Sequence, residues 1–207
     1  MSARGQNLLR AWAHGLPKID LHRHLEGSLR LQTLTEIAKQ DNIDLPSYDV
    51  ESLRPHVQMT QDPPGFQRFL DKFEILRKFY TSEEAVKRIA QECVLDAARD
   101  NILYLEIRFN PLALARVRGF AFDDVVSWVA EAVSERFPDR ILAFLAYGSM
   151  REPPTTVSLH PMLMPVLCVW GNTFEMWDQW MATGAEHMGI YLYHDDTLGR
   201  EAAGSGK

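Results

Sequence analysis

The sequence predicts an α/β protein built on a parallel sheet or barrel. Two observations carry that prediction. Short apolar runs with strand character stand at 18–21, 102–109 and 141–147. Stretches with helical periodicity lie between them, and helical crossovers between short strands set those strands parallel.

The elements follow in chain order. Lys18-Ile19-Asp20-Leu21 reads as a strand entering a histidine-rich turn that ends in Gly27-Ser28. Leu29 to Gln40 reads as a helix, with Leu29, Leu31, Leu34, Ile37 and Ala38 on one side. Asp41-Asn42 ends it and Pro46 blocks continuation. Tyr48 to Gly65, with Pro55, Pro63 and Pro64, reads as irregular. Phe66 to Phe79 is a second helix whose Phe69, Phe73, Leu76 and Phe79 share a face. Core packing is the plain reading of those aromatics, and a lid over a pocket is the alternative.

Thr81 is placed to cap a third helix, with Glu84 three residues on completing a capping box. Val86, Ile89, Ala90, Cys93, Val94 and Ala97 form its apolar stripe, which makes Cys93 a buried small hydrophobe. Ile102 to Phe109 is a strand in which Leu103, Leu105 and Ile107 alternate with Tyr104, Glu106 and Arg108, stopped by Asn110-Pro111. Phe122 to Phe137 is a further helix with Val125, Val126, Val129 and Val133 inward, and Ile141 to Tyr147 a third strand.

The last third differs in kind. From residue 138 onward 12 of 70 residues are charged, against 38 of 137 before it. Helical periodicity is weak there, and Pro153-Pro154, Pro161 and Pro165 interrupt it. Residues 1–137 are therefore read as one region. Residues 138–207 are read as a divergent tail with an irregular fold, either frameshifted or poorly ordered.

Composition narrows the function. The 207 residues are 46% hydrophobic and 24% charged, enough for a globular domain with a real core. A net charge of −6 argues against nucleic acid as a partner, because phosphate binding needs a basic surface. No apolar run approaches a membrane span, and the N-terminal segment has no signal-peptide core. Two cysteines are too few for a disulfide scaffold or a cysteine-based zinc site, so a cytoplasmic location is expected.

The chemistry-bearing residues are His22 and His24. Residues i and i+2 of a strand point to one face, so two imidazoles converge as zinc ligands do. The spacing alone also fits two satisfied polar histidines. Barrel enzymes, however, place their chemistry where a strand hands over to its loop. Asp20 falls on the same face by the same count, a candidate carboxylate to orient a ligand. Glu26 is placed to face a substrate nitrogen, and Gly27 to allow a sharp turn or close approach.

Pro17-Lys18-Ile19-Asp20-Leu21-His22-Arg23-His24-Leu25-Glu26-Gly27-Ser28-Leu29 resembles the first-strand motif of the adenosine deaminase family of the amidohydrolase superfamily. Phe69-Leu70-Asp71-Lys72-Phe73 is similar to the family's segment near the pocket mouth. Tyr104-Leu105-Glu106-Ile107-Arg108-Phe109-Asn110-Pro111 is similar to its second barrel strand. The three segments arrive in the family's order, and the resemblance covers roughly 10–137.

The resemblance implies a partial metal-dependent (β/α)8 TIM barrel, first strands and helices only. It implies hydrolytic deamination of a 6-aminopurine with Zn2+ as cofactor. The partner is then a small purine nucleoside or base. It carries zinc ligation to His22 and His24, and substrate contact to His24 and Glu26, where many members hold Asp. It assigns no catalytic residue. The family's later His-Ala-Gly-Glu segment does not occur in this sequence. His194-Asp195-Asp196 looks like its Asp-Asp pair but stands after too few strands. A barrel of about 250 residues does not close in this chain. The chain is thus read as incomplete or inactive by itself, or as a non-catalytic metal- or purine-binding remnant or interaction module.

Overall fold

The computed structural model describes residues 3–146, 152–153, 159–168 and 173–191. Two compact units divide between Leu142 and Ala143.

The first unit begins with helix α1 (Ala3–Gly15) and strand β1 (Lys18–His24), which passes into a single 3-10 turn at Leu25–Gly27. Helices α2 (Leu31–Gln40), α3 (Val50–Val57), α4 (Phe66–Arg77) and α5 (Glu83–Arg99) follow. Strand β2 (Ile102–Arg108), α6 (Pro111–Ala115) and α7 (Phe122–Arg136) complete it. β1 and β2 pair in parallel, and the helices between them supply the long crossover that such pairing needs.

The core of this unit is helical. α5 packs on α7, and its stripe from Val86 to Ala97 is buried together with Val125, Val129 and Val133 of α7. Cys93 lies inside that stripe as a free, buried thiol, which burial pushes above its ordinary pKa. Each buried Val, Leu or Ile side chain contributes roughly 1.5–3 kcal/mol. The strands are covered far less. Ile107 is buried, yet Ile19, Leu21, Leu103 and Tyr104 are each more than half exposed.

Several boundaries differ from the sequence reading. α3 occupies part of the stretch read as irregular, because the side chain of Asp49 accepts from Ser52 N–H and starts it. Pro55 sits inside α3, where a missing N–H costs one internal bond. The cap of α5 is Ser82, not Thr81: its backbone is extended and its Oγ accepts from Ala85 N–H at 3.2 Å. Asn110 does more than stop β2. Its Oδ1 accepts from Ala113 N–H at 3.0 Å, with Pro111 at the start of α6. Phe69 of the expected core face is exposed, while Phe73, Leu76 and Phe79 are buried.

The second unit contains a three-stranded sheet in the order β3 (Leu142–Ala146), β4 (Leu163–Cys168), β5 (Gly189–Tyr191), with β3 starting at the unit boundary. β4 and β5 run parallel. Helix α8 (Thr173–Ala182) links them and buries Met176 and Trp180 against Leu167. Tyr147, Pro154 and His194-Asp195-Asp196 lie outside the described residues. The described elements form an α/β fold with parallel pairing and no closed barrel.

Candidate metal centre

The site stands at the C-terminal end of β1. Between Asp20 and Arg23 the register to β2 slips: three steps along β1 match two along β2, from Leu105 to Ile107. β1 thus carries one extra residue, and His22 takes a left-handed backbone with φ of 73°. Bulges of this kind re-aim side chains next to active sites. They also break the alternation of faces. Asp20 consequently turns to Arg23, whose Nε donates to its Oδ2 at 2.7 Å. Among the described residues Asp20 bonds to Arg23 and to no histidine, so the expected contact with a histidine ligand is not formed.

His22 and His24 do meet. Their Nε2 atoms stand 3.1 Å apart and their ring centroids 5.0 Å apart. Two nitrogen ligands of a tetrahedral zinc ion, each at about 2.0–2.1 Å, stand roughly 3.3 Å from one another. The two imidazoles therefore fit one edge of such a site. The pKa of His24 is lowered, first by burial and then by His22, Arg108 and Arg77, against the opposing pull of Glu26. A neutral ring keeps the lone pair that metal ligation needs. Among the described residues no group of three or more His, Cys, Asp or Glu is arranged to hold a metal ion.

The turn after His24 is pinned from three sides. Ser28 Oγ donates to the His24 carbonyl at 2.8 Å. Buried Tyr80 donates from its hydroxyl to the Leu25 carbonyl at 2.9 Å. Asn110 N–H, just past the end of β2, donates to Glu26 Oε1 at 3.1 Å. The last of these bonds ties the mouths of the two strands together.

Glu26 is 1% exposed. Arg77 Nη2 approaches its Oε1 at 3.7 Å, while Oε2 is buried with no partner. A buried acceptor left unpaired costs about 1–3 kcal/mol, so it stands ready for a donor. Gly27 is not demanded by the backbone. A Cβ there would meet Phe73 Cζ at 3.8 Å, an ordinary contact. Phe73 in turn stands edge-on to the His24 ring at 5.3 Å and to Phe69 at 5.1 Å.

Sequence reasoning found His22, His24 and Glu26 but missed Ser28, Arg77, Tyr80 and Asn110 in this site. Asn110 had a legible signal, since Asn before Pro is a helix-start pattern. Arg77, the last residue of α4, and Tyr80, just beyond that helix, reach the site in a way that no local pattern announces.

Residues 17–143 match the family model described as adenosine deaminase. An adenosine deaminase of Clostridium botulinum is 43% identical over 120 residues, 58% of this chain and 36% of the relative. The chain thus spans little more than a third of the curated relatives it matches. An adenine deaminase from Arthrobacter aurescens superposes with a TM-score of 0.53 at 24% identity, covering 87% of this chain and 50% of that one. A Burkholderia ambifaria amidohydrolase with bound Zn gives 0.56 at 21% identity, covering 95% and 48%. Likeness at these identities shows the fold alone, and the parallel α/β elements described above are consistent with a partial barrel.

Proposed function

The chain belongs to the adenosine deaminase family, and on that premise we propose that it carries the zinc-binding strand of a hydrolytic 6-aminopurine deaminase. One observation supports this above the others: two imidazole nitrogens 3.1 Å apart at the mouth of β1. His22 and His24 would hold the ion. When bound, zinc supplies a water whose pKa falls toward neutrality.

The chain's own residues position the metal ligands and the substrate. Phe73 backs the His24 ring, and Ser28 holds the backbone that carries it. Glu26 offers Oε2, an unpaired buried acceptor, to an N–H or O–H of a purine base or nucleoside. Together with His24 it forms the substrate-contacting pair. The acidic balance of the chain suits a small uncharged substrate better than nucleic acid. A reduced cytoplasmic setting fits the buried free thiol of Cys93.

A second reading has its own support. Among the described residues no third ligand joins the histidine pair, which favours metal or purine binding without turnover by this chain alone. We assign turnover to the longer barrel of the relatives, and to this chain the binding half.

Zinc uptake and ammonia release from adenosine and adenine, measured on the purified chain, test both readings. Weak zinc uptake that His24→Ala abolishes, with no ammonia released, is the expected result. Zinc uptake untouched by His24→Ala would sink the metal assignment. Ammonia release by the wild-type chain would sink the binding-only reading.

A further inference from the structure

We propose that Arg77 is a positioning residue that sets both the Glu26 carboxyl group and the His24 ring. The inference rests on His24 being a metal ligand.

Arg77 is the last residue of α4. An arginine there ordinarily turns to the free carbonyls of its own helix end. This one reaches the mouth of β1 instead. Its Nη2 stands 3.7 Å from Glu26 Oε1, and its guanidinium carbon lies 5.8 Å from the centre of the Phe73 ring. Phe73 is 7% exposed and Glu26 1% exposed, so neither is held by solvent. Phe73 then meets the His24 ring edge-on, at an interplanar angle of 72°.

One planar cation thus touches two buried groups, each of which leads to the proposed site. Toward Glu26 it supplies the opposite charge that a buried carboxyl group needs. Toward Phe73 it supplies a flat face, which lysine's point charge does not reproduce. Glu26 Oε2 and Arg77 Nε are both buried without a partner, so the pair stops short of a two-bonded fork. Arg77 therefore braces Glu26 through Oε1 and leaves Oε2 open for a ligand.

The test uses the full 207-residue chain. Arg77→Met, Arg77→Lys and a control, Arg99→Met on the exposed end of α5, are compared with wild type. Two readouts are taken: histidine ring resonances by NMR without metal, and cobalt(II) affinity by visible absorption. Arg77→Met should move the His24 resonances, leave those of His14 and His56 in place, and weaken cobalt binding about tenfold or more. Arg77→Lys should move His24 in the same direction by less, and Arg99→Met should change neither readout. Unchanged His24 resonances in Arg77→Met overturn the proposal, as do equal movements at all assigned histidines. Should Arg77→Met fail to fold, the resonances of Arg77→Lys decide by the same criterion. A wild-type chain that takes up no cobalt defeats the metal reading, while the metal-free resonances still judge Arg77.

Discussion

The α5–α7 layer and the β1–β2 pair belong to one unit and are built on opposite terms. In α5 the apolar stripe is buried to the last residue, from Val86 at 0% to Val94 at 8% exposed. In β1 and β2, Ile19, Leu21 and Leu103 are 61–70% exposed. A helix pair covers its stripes with one partner. A strand pair has two faces and two edges, so it needs more neighbours than the first unit supplies.

Two substitutions sharpen that contrast. The largest effect is expected in the helix layer, where Ile89→Ala should cost about 2–5 kcal/mol in urea unfolding. Leu103→Ser on the open strand face should stay within about 0.5 kcal/mol. Equal losses at the two positions would mean that the strand face is covered in solution.

The cap of the same layer comes next. Ser82→Ala should lower stability by about 1 kcal/mol, and Thr81→Ala should not reproduce that loss through the cap. Circular dichroism on thermal unfolding separates the two.

A further small effect concerns acid. Asp96 of α5 receives Nε and Nη2 of Arg30, and that hydrogen bonding holds its carboxyl below the ordinary range. A depressed carboxyl stabilises the fold above its unfolded value, and the contribution fades as pH falls through the folded one. Asp96 is 39% exposed, so solvent screening keeps the pair below about 1 kcal/mol. Arg30→Met should lower stability at pH 7 and narrow the gap to pH 3. A gap as wide as in wild type would remove Asp96 from the acid response.

The sequence was most readable where one period ran uninterrupted. α5 and α7 each show an apolar residue every three or four positions, and burial follows that stripe except at Val126, which was expected inward and is only half-buried. α3 was hidden because Pro55 sits inside a helix of only eight residues. α8 was hidden because its core rests on Met176 and Trp180, four apart amid a Met- and Trp-rich segment. At the proposed site the histidine pair was legible from its spacing. The bulge was not, since counting faces by twos assumes a regular strand. That assumption placed Asp20 beside the histidines instead of on Arg23. Glu26 was legible as a residue of interest. Its closure by Asn110 and Arg77 was not, because those contacts span 84 and 51 positions of chain.

The left-handed backbone at His22 restricts which replacements can be read cleanly. Glycine takes such a φ freely, and asparagine more readily than most side chains. Alanine there adds strain, and valine or isoleucine more still. A loss after His22→Val would mingle a lost imidazole with a displaced chain. His22→Asn keeps the path of the backbone and removes the ring alone. Position 22 thus filters substitutions twice, once by ligand chemistry and once by handedness, and screens at this strand should be designed around the second filter.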